Sequence, residues 1–160
     1  MNKIVLVVFI LLLLCFPVNA KTVYLTNQDD STLLQKAVDY INGKVEDQLL
    51  TIVETAIADI IVSFMKPSLE QSVPLGVCDH EQSPISVVYL QKLPSKKKYL
   101  VLIHELVHAL GVPHMWNKKS IMYWDASKSG KELMDEDIEL IKCLNRKELG
   151  YELVKIKRGI

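Results

Sequence analysis

The stretch His104-Glu105-Leu106-Val107-His108-Ala109-Leu110-Gly111-Val112-Pro113-His114 decides how the rest of the chain is read. On a helix, residues four apart project from one face a turn apart, so His104 and His108 offer their imidazoles to a single point. Gly111 comes where a left-handed backbone, free of Cβ strain, would end that helix and turn the chain back, and Pro113 stiffens the return. His114 then arrives as a third imidazole. Three neutral imidazoles on one zinc ion leave it its full charge and an open fourth position, the pattern of reactive sites and not of closed structural ones. Glu105 is turned about a quarter of the helix away from the ligand face. It can reach that open position without ligating, which makes it the candidate general base.

Average composition produces His-Glu-x-x-His by chance in on the order of one chain of this size in a few hundred, and Gly111 with His114 lowers that by roughly several hundred more. Three of the 4 histidines fall inside this window. A reading as ordinary core histidines is therefore poor. The fourth, His80, stands between Asp79 and Glu81 and reads as a solvated turn residue.

Downstream, Ser120-Ile121-Met122-Tyr123 follows the third histidine at a short distance, and Met134-Asp135-Glu136-Asp137-Ile138 opens a last helix. Asp135 is expected to cap it, with acids in its first turn and Lys142, Arg146 and Lys147 toward its end, as the macrodipole favours. Upstream, residues 99 to 110 are apolar almost all round, the composition of a buried helix. Lys96, Lys97 and Lys98 before it read as a solvated loop. Residues 21 to 27 alternate Val23 and Leu25 with polar residues and are expected as a strand. A helix capped by Asp30 or Ser31 and closed by Gly43 presents Leu33, Leu34, Ala37, Val38 and Ile41 on one face. Residues 49 to 53 and 58 to 64 are further strands, parallel through a crossover. After a proline-bearing loop at 66 to 74, residues 75 to 78 and 85 to 90 follow as strands, the first short enough for an edge.

With these residues in view, the histidine stretch resembles the long zinc-binding consensus of the metzincins, and Ser120-Ile121-Met122-Tyr123 is similar to their Met-turn. Within that clan the chain resembles the matrixins, in the strand Ala58-Asp59-Ile60-Ile61-Val62-Ser63-Phe64, in Met122 eight residues after His114, and in the opening at Met134. It departs from them at Met115, where matrixins usually have Ser, and at Trp124, where they have Pro. The resemblance implies an α+β, α/β-like metzincin fold: a twisted mixed sheet of about five strands with one antiparallel edge strand, an active-site helix and a C-terminal helix. It implies a zinc-dependent endopeptidase with His104, His108 and His114 as metal ligands, Met122 lying beneath the metal and Glu105 as general base and acid. One catalytic Zn2+ is the implied cofactor, and the sequence says nothing of structural calcium. Peptide or protein substrate would lie along the edge strand near residues 75 to 78. Leu100 matches the position that tunes the primary pocket, which suggests a hydrophobic preference, although plain core packing serves equally well; Trp116 and Trp124 read as packing rings more than as cleft walls. The alternative is a zinc-binding secreted protein that grips a partner without turnover.

The remaining features set the address and the limits. The chain has 160 residues, enough for one domain with a real core. Nineteen basic residues against 19 acidic ones give no pull toward nucleic acid or an anionic membrane. Lys3, the apolar run 4 to 16 and the small Ala20 read as a signal peptide, since the run is shorter than the roughly 20 residues of a membrane span. The organisation expected is a signal peptide at 1–20, a catalytic domain at 21–147 and a tail at 148–160. The mature protein is expected to be secreted and monomeric, without stable membrane association. Removal of Cys15 would leave Cys78 and Cys143, for which one bridge or two free thiols are equally open.

Overall fold

The computed structural model describes residues 20–65, 74–90, 92–125 and 128–145. The expected signal segment before Ala20, the loop at 66 to 73 and the tail with Arg146 and Lys147 lie outside the described residues. Five strands and three α-helices follow in the order β1 (Lys21–Leu25), α1 (Ser31–Val45), β2 (Leu50–Ile52), β3 (Ile60–Met65), β4 (Gly76–Asp79), β5 (Ile85–Leu90), α2 (Ser95–Ala109) and α3 (Asp135–Asn145). The sheet order is β2-β1-β3-β5-β4. β2, β1, β3 and β5 run parallel, and β4 alone is antiparallel, paired to β5 at the edge. This is the mixed sheet that the sequence leads one to expect.

Alternation makes β1 a strand: Val23 and Leu25 face the core while their neighbours are only half-buried. In α1 a helical period buries Leu34, Ala37, Val38, Ile41 and Val45. That helix does not close at Gly43. It continues to Val45, whose side chain enters the core, and Glu46 takes the left-handed conformation at φ 56° while Asp47 donates back to the Asn42 carbonyl. Burial of one more valine outweighs the cost of a mid-helix glycine, roughly 1 kcal/mol. Asn42 then fixes the return of the chain, accepting from the amides of Leu49 and Leu50 and donating to the Leu50 carbonyl.

Asp30 precedes α1 but makes no side-chain cap. Its carboxylate accepts instead from the Tyr89 hydroxyl at 2.6 Å and the Lys98 ammonium at 2.9 Å. The same contact corrects the expectation of a lysine loop: Lys96, Lys97 and Lys98 form the first turn of α2, which begins after Pro94. Lys98 is drawn inward because Asp30 compensates its charge. Nor does Asp135 cap α3. It is the first helical residue, and Asp137 reaches back to accept the Met134 amide at 2.7 Å.

α2 packs against α1 on one side and against β4 and β5 on the other. Val101, Leu102, Ile103, Leu106, Val107 and Ala109 are buried there. Its C-terminal end is held by the Lys21 ammonium, which donates to the Ala109 carbonyl at 2.7 Å, and by Asn145, which donates to the Leu110 carbonyl at 3.1 Å. A cation at a helix C-terminus interacts favourably with the macrodipole. Cys78 and Cys143 are both free, so no bridge joins β4 to α3.

Candidate active site

His104 and His108 stand on one face of α2, and Gly111 then turns the chain at φ 96°, the left-handed region read from the sequence. The return brings His114 to the same point: one ligand-capable atom from each of His104, His108 and His114 lies within 4.8 Å of the others. The Nε2 atoms of His108 and His104 are 3.0 Å apart, and those of His104 and His114 are 3.3 Å apart.

The far side of each helix-borne ring settles its tautomer. Nδ1 of His104 lies 2.8 Å from the Ile121 carbonyl, and Nδ1 of His108 lies 2.7 Å from the Val112 carbonyl. A carbonyl can only accept, so each Nδ1 carries the proton and each Nε2 carries a lone pair. Two lone pairs facing each other at hydrogen-bond distance repel unless a cation stands between them. The separations are close to the roughly 3.3 Å edge of a tetrahedron built on 2.0–2.1 Å metal–nitrogen bonds. The donor set therefore fits a zinc ion, with backbone carbonyls orienting two of its rings. Burial lowers the pKa of His104, and it pushes His108 down to about 4, so both are neutral and ready to ligate at neutral pH.

The Ile121 carbonyl belongs to a turn held by a buried network. The Ser120 hydroxyl donates to Asp137 at 2.7 Å and accepts the Met122 amide at 2.8 Å, and all three side chains are inaccessible to solvent. Met115 closes the other side, its amide donating to the Met122 carbonyl at 2.8 Å. The residue that departs from the matrixin pattern thus contributes a main-chain bond that any residue but proline could make.

Glu105 is 6% exposed, and burial pushes its carboxyl up to about 7. It lies under the edge strand at Gly76: a Cβ on that glycine would come within 2.6 Å of Glu105 Oε1. Gly76 and Lys21 went unnoticed in the sequence. A glycine inside a strand does signal close approach by another group, but nothing local pairs Lys21 with Ala109, which is 88 residues away. Cys78, on the same strand, has its thiol pushed up to about 12 by burial, with Glu105 and Asp79 adding to the shift; it is not a nucleophile.

A cleft of about 610 Å³ opens beside His104, Glu105 and His114. Leu100 and Trp124 line it. Trp124 is 57% exposed and Trp116 88% exposed, so neither ring packs in the core as expected. His80 is exposed and is not one of the clustered histidines, although its charge bears on His108.

Comparison with known proteins places this geometry. Residues 91–145 match the matrixin family model. No curated protein matches the chain. Among solved structures, the archaemetzincin of Methanopyrus kandleri is similar with a TM-score of 0.57 at 10% identity, over 78% of this chain and 95% of that one. At that identity the likeness is one of fold. The matrixin segment covers the helix, the turn and all three histidines, and the fold around them is like that of archaemetzincin, so the chain resembles the matrixins over that segment and a metzincin in fold, and both likenesses support a zinc metallopeptidase.

Proposed function

We propose that the protein is a secreted zinc endopeptidase, monomeric after removal of the segment 1–20, which cleaves peptide or protein substrates with His104, His108 and His114 as metal ligands and Glu105 as general base. The observation that carries this reading is the convergence of the imidazole lone pairs, two of them fixed by carbonyls, beside a buried carboxylate. When bound, zinc would supply Lewis acidity toward the scissile carbonyl and bring the pKa of water toward about 7.

The chain's own residues account for the rest. Glu105, offset from the ligand face, takes the proton of the attacking water and passes it to the leaving amine. Burial holds its pKa near neutrality, while a cation on the adjacent histidines works in the opposite direction. Among the described residues β4 pairs on only one side, and that edge would hold an extended peptide by main-chain hydrogen bonds. Gly76 brings that edge down onto Glu105, so a peptide held there would have Glu105 beside it.

Zinc content and cleavage of a broad peptide library by the purified protein test this reading. One zinc per chain, cleavage within peptides and loss of cleavage in Glu105→Ala are expected. A protein that binds zinc but cuts no member of the library, and behaves identically as Glu105→Ala, would overturn it. N-terminal sequencing of secreted material tests processing, with Lys21 as the expected first residue.

A further inference from the structure

We propose that the cleft beside the histidines selects a substrate residue with an anionic tip, glutamate above all, adjoining the scissile bond. The inference rests on the peptidase reading above and names its substrate class. The lining of the cleft changes character along its length. On α2 His104 and Glu105 line it by the histidine cluster; one turn earlier on the same face come Leu100 and Val101; two turns earlier comes Lys97. Lys131 also lines the cleft. Along α2 an apolar stretch thus leads to one ammonium group, and a second belongs to the same lining.

Those two cations differ from their neighbours. Lys98 is paired with Asp30 at 2.9 Å and Lys128 with Asp125 at 2.8 Å, whereas no carboxylate among the described residues pairs with Lys97 or Lys131. Asp125 also lines the cleft, but Lys128 neutralises it. Glu105 is the other acid in the lining, at the opposite end by the histidines. The first turn of α2 contains no acidic residue. The lining therefore carries two cations that no described carboxylate pairs with, and a purely hydrophobic side chain, as Leu100 alone would suggest, leaves them unanswered.

Length selects among the acids. Lys97 and His104 are separated along the helix axis by about 10 Å, at 1.5 Å for each residue. Aspartate's short stem leaves its carboxylate among Leu100 and Val101. Glutamate lays its methylenes there and carries its charge toward Lys97, with Lys131 as the second cation of the same cleft. Because both lysines are exposed, each contact resembles a surface ion pair and contributes about a twofold to fivefold preference, roughly tenfold together.

The test is a set of fluorogenic peptides that differ only in one residue, Glu, Gln, Lys or Leu, placed in turn on either side of the scissile bond and offered to the zinc-loaded protein. At one of the two positions Glu is expected to exceed Gln in kcat/KM by roughly tenfold at low ionic strength, and by less as salt screens the contact. The double variant Lys97→Glu, Lys131→Glu is expected to reverse the order, cutting the Lys peptide faster than the Glu peptide. Glutamate in the first turn of α2 suits the helix dipole, so folding is not at risk there. Cleavage ordered by apolar size, or a charge order that survives the double reversal, would overturn this proposal alone. Failure to cut any peptide, here and in the broad library, would overturn the peptidase reading and this proposal with it.

Discussion

Gly76→Ala is the substitution that most directly tests how the edge strand and Glu105, the proposed base, are fitted together. A Cβ at position 76 would stand 2.6 Å from Glu105 Oε1, 2.8 Å from Glu105 Cγ and 2.6 Å from Val101 Cγ1. Ordinary contact needs about 3.5 Å, so the strand or the side chains must give way by roughly 0.9 Å. Val101 and Glu105 are buried on α2, which is fixed on both faces, so much of the movement falls on β4 and on the carboxylate. Overpacking of this kind costs about 1–3 kcal/mol of stability. A displacement near 1 Å at a reacting group costs on the order of a hundredfold in rate. Gly76→Ala should therefore bind one zinc, unfold at a lower temperature, and lose about tenfold to a hundredfold in kcat on a peptide substrate. The double-mutant cycle with Glu105→Gln separates displacement of the base from general damage. If Gly76 acts through Glu105, then on the Glu105→Gln background the same substitution lowers kcat by less than about threefold. Full activity in Gly76→Ala, or an equal loss on both backgrounds, would refute the reasoning.

Further expectations follow from the same contacts. Glu105→Gln keeps the volume of the side chain and removes the proposed base, so kcat should fall by about 10² to 10⁴ with zinc content unchanged, as read by steady-state kinetics and metal analysis. Ser120→Ala removes a donor from the fully buried Asp137 and an acceptor from Met122, and should cost about 1–3 kcal/mol in denaturant unfolding. Asp30 gives a pH signature: burial works to raise its pKa, but the hydrogen bonds from Tyr89 and Lys98 prevail and hold it below the ordinary carboxylate value. Its contribution is therefore complete above the unfolded pKa of about 4 and is lost as pH falls through the lower folded value. The stability gap between the wild-type protein and Asp30→Ala should be flat from pH 7 to about pH 5 and close in stronger acid; a gap that widens in acid would contradict the assignment.

What the sequence disclosed and what it hid divide along the distance between interacting residues. The histidine stretch carried its own geometry, because helical periodicity and the glycine turn are local, and the structure brings His104, His108 and His114 together as that spacing implies. Strand alternation at Val23 and Leu25 and the short edge strand were legible for the same reason. The misread boundaries are those where a remote partner prevailed over local chemistry. Asp30 looks like a helix cap, yet Tyr89 and Lys98, 59 and 68 residues away, take its carboxylate. The three lysines look like a solvated loop, yet one of them pays for its place in a helix through that same ion pair. Trp116 and Trp124 look like core, and their exposure follows from a turn whose buried positions are already filled by Ile121, Met122 and Tyr123.

These remote contacts also explain how a short helix end can hold a site to the tolerance that metal ligation demands. A ligand set works only if its rings are held within a fraction of an ångström, and two histidines on one helix cannot ensure that while the third sits on a return loop. Here each part of the return is tied to something else: Ala109 to Lys21 on β1, Leu110 to Asn145 on α3, Val112 to the His108 ring, and Met115 to Met122. The His104 ring is in turn oriented by Ile121, whose turn is anchored through Ser120 to Asp137 on α3. The loop that carries His114 is thus clamped between the sheet, the last helix and the methionine turn. Loosening any one of these ties should weaken metal affinity before it unfolds the domain. Lys21→Ala is the simplest case, because Lys21 is part of neither the three-histidine cluster nor the cleft lining, and the expected result is weaker zinc binding in a chelator competition with the far-ultraviolet spectrum unchanged.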